Sequence, residues 1–336
     1  MTDDLNPPAD LADLRDFSAR IGADPLLIQA AGGNTSVKEG GVMWIKASGT
    51  LLADALAREI FVPVNLPAMQ AALDDPETDA DQPARFTLGA QTLRPSIETS
   101  LHAVLPQRVV IHVHCVNTLS LAIRSDARDV LSPLLADFDW CLVPYIKPGA
   151  NLAGQVRARL AKATDVVVLQ NHGLIVAADT VAGAEALLGR VVDALRQPPA
   201  APAQADTEFL DRLTGPNWAV PPADSPVHQM ALTPTRAGQA TGGSLYPDHV
   251  IFCGVGVTAA EGALPPAAEG PVLLLVPGKG VVMRKDASAG AWALARCLSD
   301  VLMRVPEDAP LTYLTEAQNA ELLDWDAEKY RQSLNA

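Results

Sequence analysis

The chain has 336 residues, of which 49% are apolar, and its 39 acidic and 25 basic side chains give a formal net charge of −14. This length and apolar content suffice for one large or two ordinary globular domains, whereas the negative charge argues against nucleic acid or an anionic membrane as a partner. The first residues lack the basic and apolar regions of a signal peptide, and no apolar run reaches the roughly 18 residues of a membrane span. We therefore expect a cytoplasmic protein.

The first elements are predicted to be a helix and a hairpin. Apolar residues recur every three or four positions over 10–21, which is typical of a helix, and 26–29 is strand-like. The stretch 30–37 contains paired glycines, which let backbone amides approach a ligand, and short polar side chains such as Asn34. An ordinary hairpin connection is the alternative, because a Gly-Gly pair and the apolar run 42–45 follow.

A possible anion site comes next. The residues around Ser48 and Gly49 lead into a helix predicted over 51–58, so they would lie at its N-terminus, where unpaired amides and the helix dipole favour an anion. The acidic, proline-bearing stretch 74–85 has no core-forming residues and is predicted to be a solvated surface loop without function.

The strongest chemical pattern lies in the middle of the chain. A helix is predicted over 98–105, beginning at Glu98, and the apolar run 109–115 then predicts a strand that carries His112 and His114. Side chains two positions apart in a strand point to the same face. These two imidazoles therefore form a pair of possible metal ligands.

A third histidine stands between two later strands. Helical and strand-like segments alternate from 117 to 161, and apolar runs at 166–170 and 174–178 then flank His172. Asn and Gly on either side of this histidine favour a tight turn.

Three histidines and the carboxylate of Glu98 form a ligand set suited to zinc or a similar divalent ion. A lone buried histidine is more often a core residue, and two histidines in one strand also occur by chance. The combination of His112, His114 and His172 with Glu98 favours a metal centre over that alternative.

A domain boundary is predicted after a long helix that ends near Arg196. The proline-rich stretch 197–206 is typical of a stiff, extended linker. We expect a metal-binding catalytic domain over 1–198 and a second domain over 199–336.

Five short motifs follow one another in the order seen in the class II aldolase and adducin family, which the chain resembles over residues 10–195. They are Gly32–Ser36, Ala47–Thr50, Pro95–Glu98, His112–His114 and Asn171–Gly173. The resemblance implies an α/β fold whose mixed, mostly antiparallel sheet is sandwiched by helices. It also implies a divalent metal, with zinc the expected ion, and a homo-oligomer, commonly a tetramer with active sites at subunit contacts.

The resemblance further implies metal-dependent retro-aldol cleavage of a ketose, expected to be phosphorylated, or of a sugar acid through a metal-stabilised enediolate. Glu98 would be the general acid/base, whether or not it also binds the metal. Decarboxylation, epimerisation or dehydration of a sugar acid or sugar phosphate at the same site is the alternative. A non-enzymatic, adducin-type interaction domain is a further alternative.

Substrate contacts are implied in the same way. The residues that match a phosphate or carboxylate site in relatives are Asn34, Ser48, Gly49 and Ser96. Ile97 replaces a second serine of that pattern, which weakens the inference of a phosphate. Tyr145 precedes a Pro-Gly turn much as a tyrosine near the active site of relatives does, so we expect a catalytic or substrate contact there, with a packing role as the alternative.

The second domain contains a degenerate copy of part of the first. Residues 167–183 align with 274–290 without a gap, at an offset of 279 − 172 = 107, and His172 falls on Lys279. The copy is predicted to keep a strand–turn–strand–helix topology and to lack the metal ligands.

Two weaker patterns concern the same region. A short alignment lays 247–251 on 106–110 and puts Cys253 where His112 stands. Separately, the stretches 246–251, 276–280 and 323–330 resemble the aldolase moiety of fusions between rhamnulose-1-phosphate aldolase and a short-chain dehydrogenase. The last helix is predicted to begin with a capping box at Thr315 and to be anchored by Trp325 and Tyr330.

Overall fold

The computed structural model describes residues 5–75, 78–260, 262, 264–266 and 270–324. The chain divides into two compact units: unit 1 consists of Met1–Cys115 and Leu131–Leu195, and unit 2 of Val116–Val130 and Arg196–Ala336. The domain limits 1–198 and 199–336 stay a proposal.

Unit 1 contains, within its described residues, a mixed sheet of seven strands. The strands are β1 (Asn34–Glu39), β2 (Val42–Lys46), β3 (Phe61–Asn65), β4 (Val109–Val113), β5 (Trp140–Val143), β6 (Val166–Leu169) and β7 (Gly173–Ala178). Their order is β3-β2-β1-β4-β7-β6-β5, and every neighbouring pair is antiparallel except β5 with β6. This confirms the predicted mixed, mostly antiparallel sheet and puts β4 in its centre.

Helices of unit 1 pack on this sheet. The helices up to residue 195 are α1 (Leu11–Gly22), α2 (Leu66–Ala72), α3 (Thr99–Val104), α4 (Val116–Ala122), α5 (Ala127–Leu134), α6 (Ala150–Arg157) and α7 (Val181–Ala194). Of these, α4 and the first half of α5 belong to unit 2. Side chains from α3, α6 and the central strands form one buried cluster, which includes Leu101, Val110, Val156 and Ile175. All five residues of β4 are buried, as expected for an apolar strand that is covered on both faces.

The hairpin of β1 and β2 forms as its glycines predict. Gly40 and Gly41 have φ of 56° and 82°, which suits a tight two-residue turn between twisted strands. The strand β1 already begins at Asn34, within the glycine-bearing stretch 30–37. The strand predicted over 26–29 is wrong, because local bonds close a turn there, with Ile28 N–H donating to the Asp24 carbonyl oxygen at 2.9 Å.

The helix predicted over 51–58 is also wrong, since this stretch forms a 3-10 turn at Leu52–Asp54. Arg15 Nε donates to the Ala55 carbonyl oxygen at 2.8 Å, an acceptor that a longer helix would use itself. In addition, α1 packs so closely that a Cβ added to Gly22 would lie 2.3 Å from the Ala53 nitrogen. The helix-dipole argument for an anion site in front of this stretch is therefore lost.

The acidic stretch that was expected to be a solvated loop supplies a helix cap. Asp81 Oδ1 accepts a hydrogen bond from the Ala150 N–H at 2.6 Å, at the start of α6, where the preceding Gly149 has no capping side chain. The end of the segment that joins β5 to α6 is thereby fixed.

Unit 2 contains a smaller sheet, with four strands in its described part: β8 (Trp218–Ala219), β9 (Thr258–Ala259), β10 (Leu273–Val276) and β11 (Gly280–Arg284). The helices after residue 206 are α8 (Thr207–Leu213), α9 (Pro234–Thr241), α10 (Pro247–Cys253), α11 (Ala289–Leu302) and α12 (Glu316–Leu323).

The small sheet repeats the topology of half of the large one. Its order is β8-β11-β10-β9, with β9 parallel to β10 and the other pairs antiparallel, which corresponds to β4-β7-β6-β5. The strand β10 starts at residue 273 and β6 at 166, a difference of 273 − 166 = 107. The degenerate repeat is confirmed at the predicted offset.

The shorter alignment within this region is wrong. Residues 247–253 form α10, whereas 109–113 form β4, so Cys253 does not correspond to His112. Pro247 stands at the first helical position, where its fixed φ favours a helix. The strand that pairs with β11 as β4 pairs with β7 is β8.

The capping box of α12 is confirmed: Thr315 Oγ1 accepts from the Gln318 N–H, and the Gln318 side chain accepts from the Thr315 N–H. The predicted anchors Trp325 and Tyr330 lie outside the described residues. Over the part of the chain that the structure describes, every helix is too short or too polar to cross a bilayer.

Candidate metal centre

The His-Val-His motif lies in the central strand β4 and at its end. The side chains of His112 and His114 are 0% and 6% exposed, and their rings meet edge to face with centroids 4.9 Å apart. Their Nε2 atoms are 3.1 Å apart. Two ring nitrogens at this distance must share a proton or a cation, because two facing lone pairs repel each other.

The turn between β6 and β7 contributes the third imidazole. Asn171 has a φ of 53°, in the left-handed region that asparagine tolerates better than most residues. The next residue, His172, is 5% exposed, and its ring centroid lies 5.0 Å from that of His112 and 5.4 Å from that of His114. The predicted tight turn thus brings all three imidazoles together.

Glu98 joins this cluster from the position just before α3. Its side chain is buried, with Oε2 3.4 Å from His112 Nε2 and Oε1 3.3 Å from His172 Nε2. Burial raises the pKa of this carboxyl, but the three histidines and a hydrogen bond from Asn34 lower it further than burial raises it, to about 2. Glu98 is therefore ionised at neutral pH.

The chemistry and spacing of the donors fit a divalent ion. His112 Nδ1 lies 3.1 Å from the Leu174 carbonyl oxygen, so Nδ1 carries the proton and the Nε2 lone pair faces the cluster. One nitrogen from each histidine can be chosen so that all three lie within 4.8 Å of one another. Ligands of a tetrahedral zinc are roughly 3.4 Å apart, close to the 3.1, 3.3 and 3.4 Å separations in this cluster.

Two of the predicted anion contacts lie against Glu98. Asn34 Nδ2 donates to Glu98 Oε2 at 2.8 Å and to Ser96 Oγ at 3.2 Å. The Glu98 N–H also donates to Ser96 Oγ, at 3.2 Å. Asn34 and Ser96 are both buried, and they form one hydrogen-bonded group with the carboxylate.

The turn that contains Ser48 and Gly49 runs beside the segment that carries Ser96, since the Ser96 N–H donates to the Lys46 carbonyl oxygen at 3.0 Å and Ala47 pairs with Pro95. Ser48 and Gly49 are in a turn after β2, in which the Ser48 N–H donates to the Arg94 carbonyl oxygen at 2.9 Å and Gly49 has a φ of 75°. Tyr145 is half-buried in the segment between β5 and α6. The roles of these three residues stay predictions.

A further buried imidazole on α3 was not predicted from the sequence. His102 is fully buried, and its Nδ1 lies 2.7 Å from Ser36 Oγ. Burial lowers the pKa of this ring to about 3, so it is neutral at physiological pH. Its spacing of four residues from Glu98, which puts both on one side of a helix, is the signal that could have identified it.

More than half of the chain matches a known protein family. Residues 18–197 match the family model of the class II aldolase and adducin N-terminal domain. A protein of Bacillus subtilis (strain 168) named uncharacterized oxidoreductase YuxG is 30% identical over 176 residues, which are 48% of this chain and 25% of the relative. The chain thus spans about a quarter of the length of the curated relative that it matches.

Two solved structures are similar to parts of the chain. The N-terminal class II aldolase domain of a conserved protein from Thermoplasma acidophilum is 30% identical, with a TM-score of 0.48, over 58% of this chain and 97% of that one. A sugar-phosphate aldolase from Thermotoga maritima is 14% identical, with a TM-score of 0.44, over 60% of this chain and 94% of that one.

Proposed function

Because the chain belongs to the family of class II aldolase and adducin N-terminal domains, we propose that it is a metal-dependent carbon–carbon lyase. Its proposed substrate is a ketose that carries a phosphate group. A sugar acid is the alternative substrate. The observation that supports this most strongly is the convergence of Glu98, His112, His114 and His172 in one buried cluster.

The three histidines would hold the metal, and zinc is the expected ion. A divalent ion supplies a Lewis acid, which stabilises negative charge on substrate oxygens while the carbon–carbon bond breaks. The hydrogen bond between His112 Nδ1 and the Leu174 carbonyl oxygen keeps the other ring nitrogen available as a ligand.

Glu98 would transfer a proton from and to the substrate. Its carboxylate is ionised at neutral pH, so it can accept a proton from the substrate and return it to carbon after cleavage. Because it lies 3.3–3.4 Å from two of the imidazoles, it can also serve as a fourth ligand. In this proposal the contacts to a substrate phosphate or carboxylate are Asn34, Ser48, Gly49 and Ser96. Tyr145 contacts the sugar.

Metal content and a substrate screen test the proposal together. We expect about one divalent ion per chain in the wild type and almost none in His114→Ala, because a site with three protein ligands tolerates little loss. Cys115→Ala, which shortens the adjacent buried side chain, is the matched control and should keep its metal.

The screen should include phosphorylated ketoses and sugar acids, with carbonyl products assayed separately from carbon dioxide, epimers and dehydration products. Cleavage that requires the metal supports the lyase. Metal retention at full stoichiometry in His114→Ala would contradict the assigned site. Decarboxylation, epimerisation or dehydration without aldol cleavage would replace the proposed reaction.

A further inference from the structure

Two polar contacts attach the helix α3 to the strand β1. Ser36 Oγ lies 2.7 Å from His102 Nδ1, and both side chains are fully buried. The second contact is at the other end of the helix, where Lys38 Nζ donates to the carbonyl oxygens of Leu105 and Gln107. Ser36 and Lys38 are two positions apart in β1, so they point to the same face of the sheet. The helix is therefore fixed to β1 at two separate points.

The helix α3 needs such contacts because it is short. It has six residues, Thr99–Val104, whereas isolated helices below roughly 12 residues are marginal in water. Glu98 is its N-cap residue, but the Glu98 side chain makes no capping hydrogen bond. The packing of α3 on the sheet, and not the helix alone, must therefore set the position of Glu98.

His102 is the residue of α3 that connects Glu98 to the strand. Its backbone N–H donates to the Glu98 carbonyl oxygen at 3.1 Å, which is the first hydrogen bond of the helix, and its side chain bonds to Ser36. In the sheet, Ser36 lies opposite Val110 of β4, the strand that carries His112. Apolar packing is non-directional, whereas a hydrogen bond has a preferred distance and angle. The bond to Ser36 therefore fixes the rotation of α3 about its axis, and with it the direction in which Glu98 points.

A role as a metal ligand does not fit His102. Within the described part of the chain, the side chains whose donor atoms lie close enough to share an ion are His112, His114 and His172. His102 Nδ1 is used by Ser36, and its Nε2 is buried without a hydrogen-bond partner among the described residues. The contact through which His102 can influence the site is therefore the one with Ser36.

We propose that His102 and Ser36 are positioning residues for Glu98, which act by holding the first turn of α3 in one orientation on β1. The contact of Lys38 lies at the far end of the helix, about 10 Å along its axis from Glu98, and stabilises that end alone. The inference rests on the proposed function for its kinetic consequence, but not for its structural one.

The kinetic test uses the metal-loaded full chain with Ser36→Ala and His102→Phe, which remove the bond from either side. A misplacement of about 1 Å can cost about 10²-fold in rate, and we expect kcat to fall about 10–100-fold, with KM and metal content near the wild-type values. His102→Asn, whose amide can reach the place of Nδ1, should recover most of kcat. The combination of Ser36→Ala with His102→Phe should lose no more than either change alone, because both remove the same bond.

Lys38→Met is the matched control. It leaves two carbonyl oxygens of the segment after α3 without their donor, so the free energy of unfolding should fall, but kcat should stay near the wild-type value. A loss of kcat equal to that of Ser36→Ala would show that any loosening of α3 impairs the site, and would overturn the assignment. Losses that multiply in the combined variant, or a failure of His102→Asn to recover kcat, would also overturn it.

A crystal structure of metal-free Ser36→Ala separates this inference from the lyase proposal. The start of α3 should be rotated, and the Glu98 carboxylate should leave the position in which Oε1 lies 3.3 Å from His172 Nε2. Should Ser36→Ala fail to fold, His102→Phe serves for the same measurement. An unmoved Glu98 contradicts the positioning role. A wild type that cleaves no ketose or sugar acid would instead contradict the proposed function, and the displacement of Glu98 would still decide this inference.

Discussion

Glu98 combines burial with an ionised carboxylate, a combination that is unfavourable unless compensating groups are in contact with it. The three imidazoles and the Asn34 amide provide that compensation and hold the pKa of Glu98 at about 2. The same imidazole nitrogens are the proposed metal ligands. The carboxylate should therefore stay ionised with a metal bound, since the positive charge of a cation at the cluster favours the ionised form.

Substitution of Glu98 by Gln should separate proton transfer from metal binding. The amide keeps the size of the side chain and one oxygen but cannot take up a proton, so we expect turnover to fall by about 10²–10⁴-fold, with metal content largely retained by the three histidines. Metal content and kcat should be measured on the same preparation. Near-normal turnover at full occupancy would contradict a proton-carrying role and point to Tyr145 as the next residue to test.

The residues of the cluster were predictable to different degrees. The pair His112 and His114 follows from the two-residue period of a strand. Glu98 and His172 were predicted as further members of the cluster because carboxylates and imidazoles bind metals and because both residues lie next to predicted elements. The partner of Asn34 was not predictable, because it depends on the register between β1 and β4, two strands separated by about 70 residues of intervening chain.

At the scale of elements, the turn from β6 to β7 places His172 by means of one close backbone contact. Gly173 faces β4, and a Cβ added to it would lie 2.6 Å from the Val113 carbonyl oxygen and 3.0 Å from His112 Cε1. Distances below 3 Å force one of the two strands to move. The distance between His172 and His112 therefore depends on this glycine.

Gly173→Ala should consequently weaken metal binding and reduce stability. We expect destabilisation of roughly 1–3 kcal/mol from overpacking and a lower zinc affinity, measured by chemical unfolding and by competition with a chelator. The matched control is Gly154→Ala in α6, where an added Cβ meets nothing within 4 Å and alanine favours the helix. Equal zinc affinity in Gly173→Ala and the control would show that the close contact at Gly173 does not determine the geometry of the metal site.

Elements were predicted well where a regular pattern of apolar residues extends over many positions. They were predicted poorly where contacts from distant residues determine the backbone conformation. The helix from Leu11 to Gly22 and the strands on both sides of His172 follow the sequence pattern. In contrast, the stretch 51–58 has good helix formers but loses a carbonyl acceptor to Arg15 and packs against α1. Such tertiary contacts override helix propensity.

In the whole molecule, unit 2 repeats half of the sheet topology of unit 1, but it has a different residue at the position of a proposed metal ligand. Lys279, at the position of His172, donates to Asp206 Oδ2 at 2.8 Å. Next to it, Gly280 faces His228, whose Nδ1 accepts from the Val281 N–H at 3.0 Å. Both polar groups are used in structural contacts, and the absence of metal ligands from the copy stays a prediction.

Unit 2 also contains a buried histidine that should make the protein acid-sensitive. Burial lowers the pKa of His249 to about 4, against an ordinary value of 6.5, and its Nε2 has no hydrogen-bond partner within the described residues. Between these two pH values the unfolded chain binds a proton that the folded chain does not bind. The contribution of His249 to the free energy of unfolding is thus fully present above pH 6.5 and is lost as the pH falls towards 4.

His249→Leu should remove this part of the acid sensitivity. On going from pH 7 to pH 4.5, the wild type should lose about 2 kcal/mol more free energy of unfolding than the variant. Urea unfolding followed by circular dichroism, with a chelator present so that metal binding does not contribute, measures the difference. The same loss in both proteins would mean that His249 accepts its proton in the folded state.

The central position of β4 has a consequence for the order in which the large sheet can assemble. The strands β1–β3 and β5–β7 are each close in sequence, but β4 pairs with one member of each group, and these pairings close long loops, which slows folding. A growing chain contains Glu98, His112 and His114 well before His172 has been synthesised. The complete ligand set therefore exists only after β7 has docked on β4, so metal capture by all three histidines belongs to the end of folding and cannot guide its beginning.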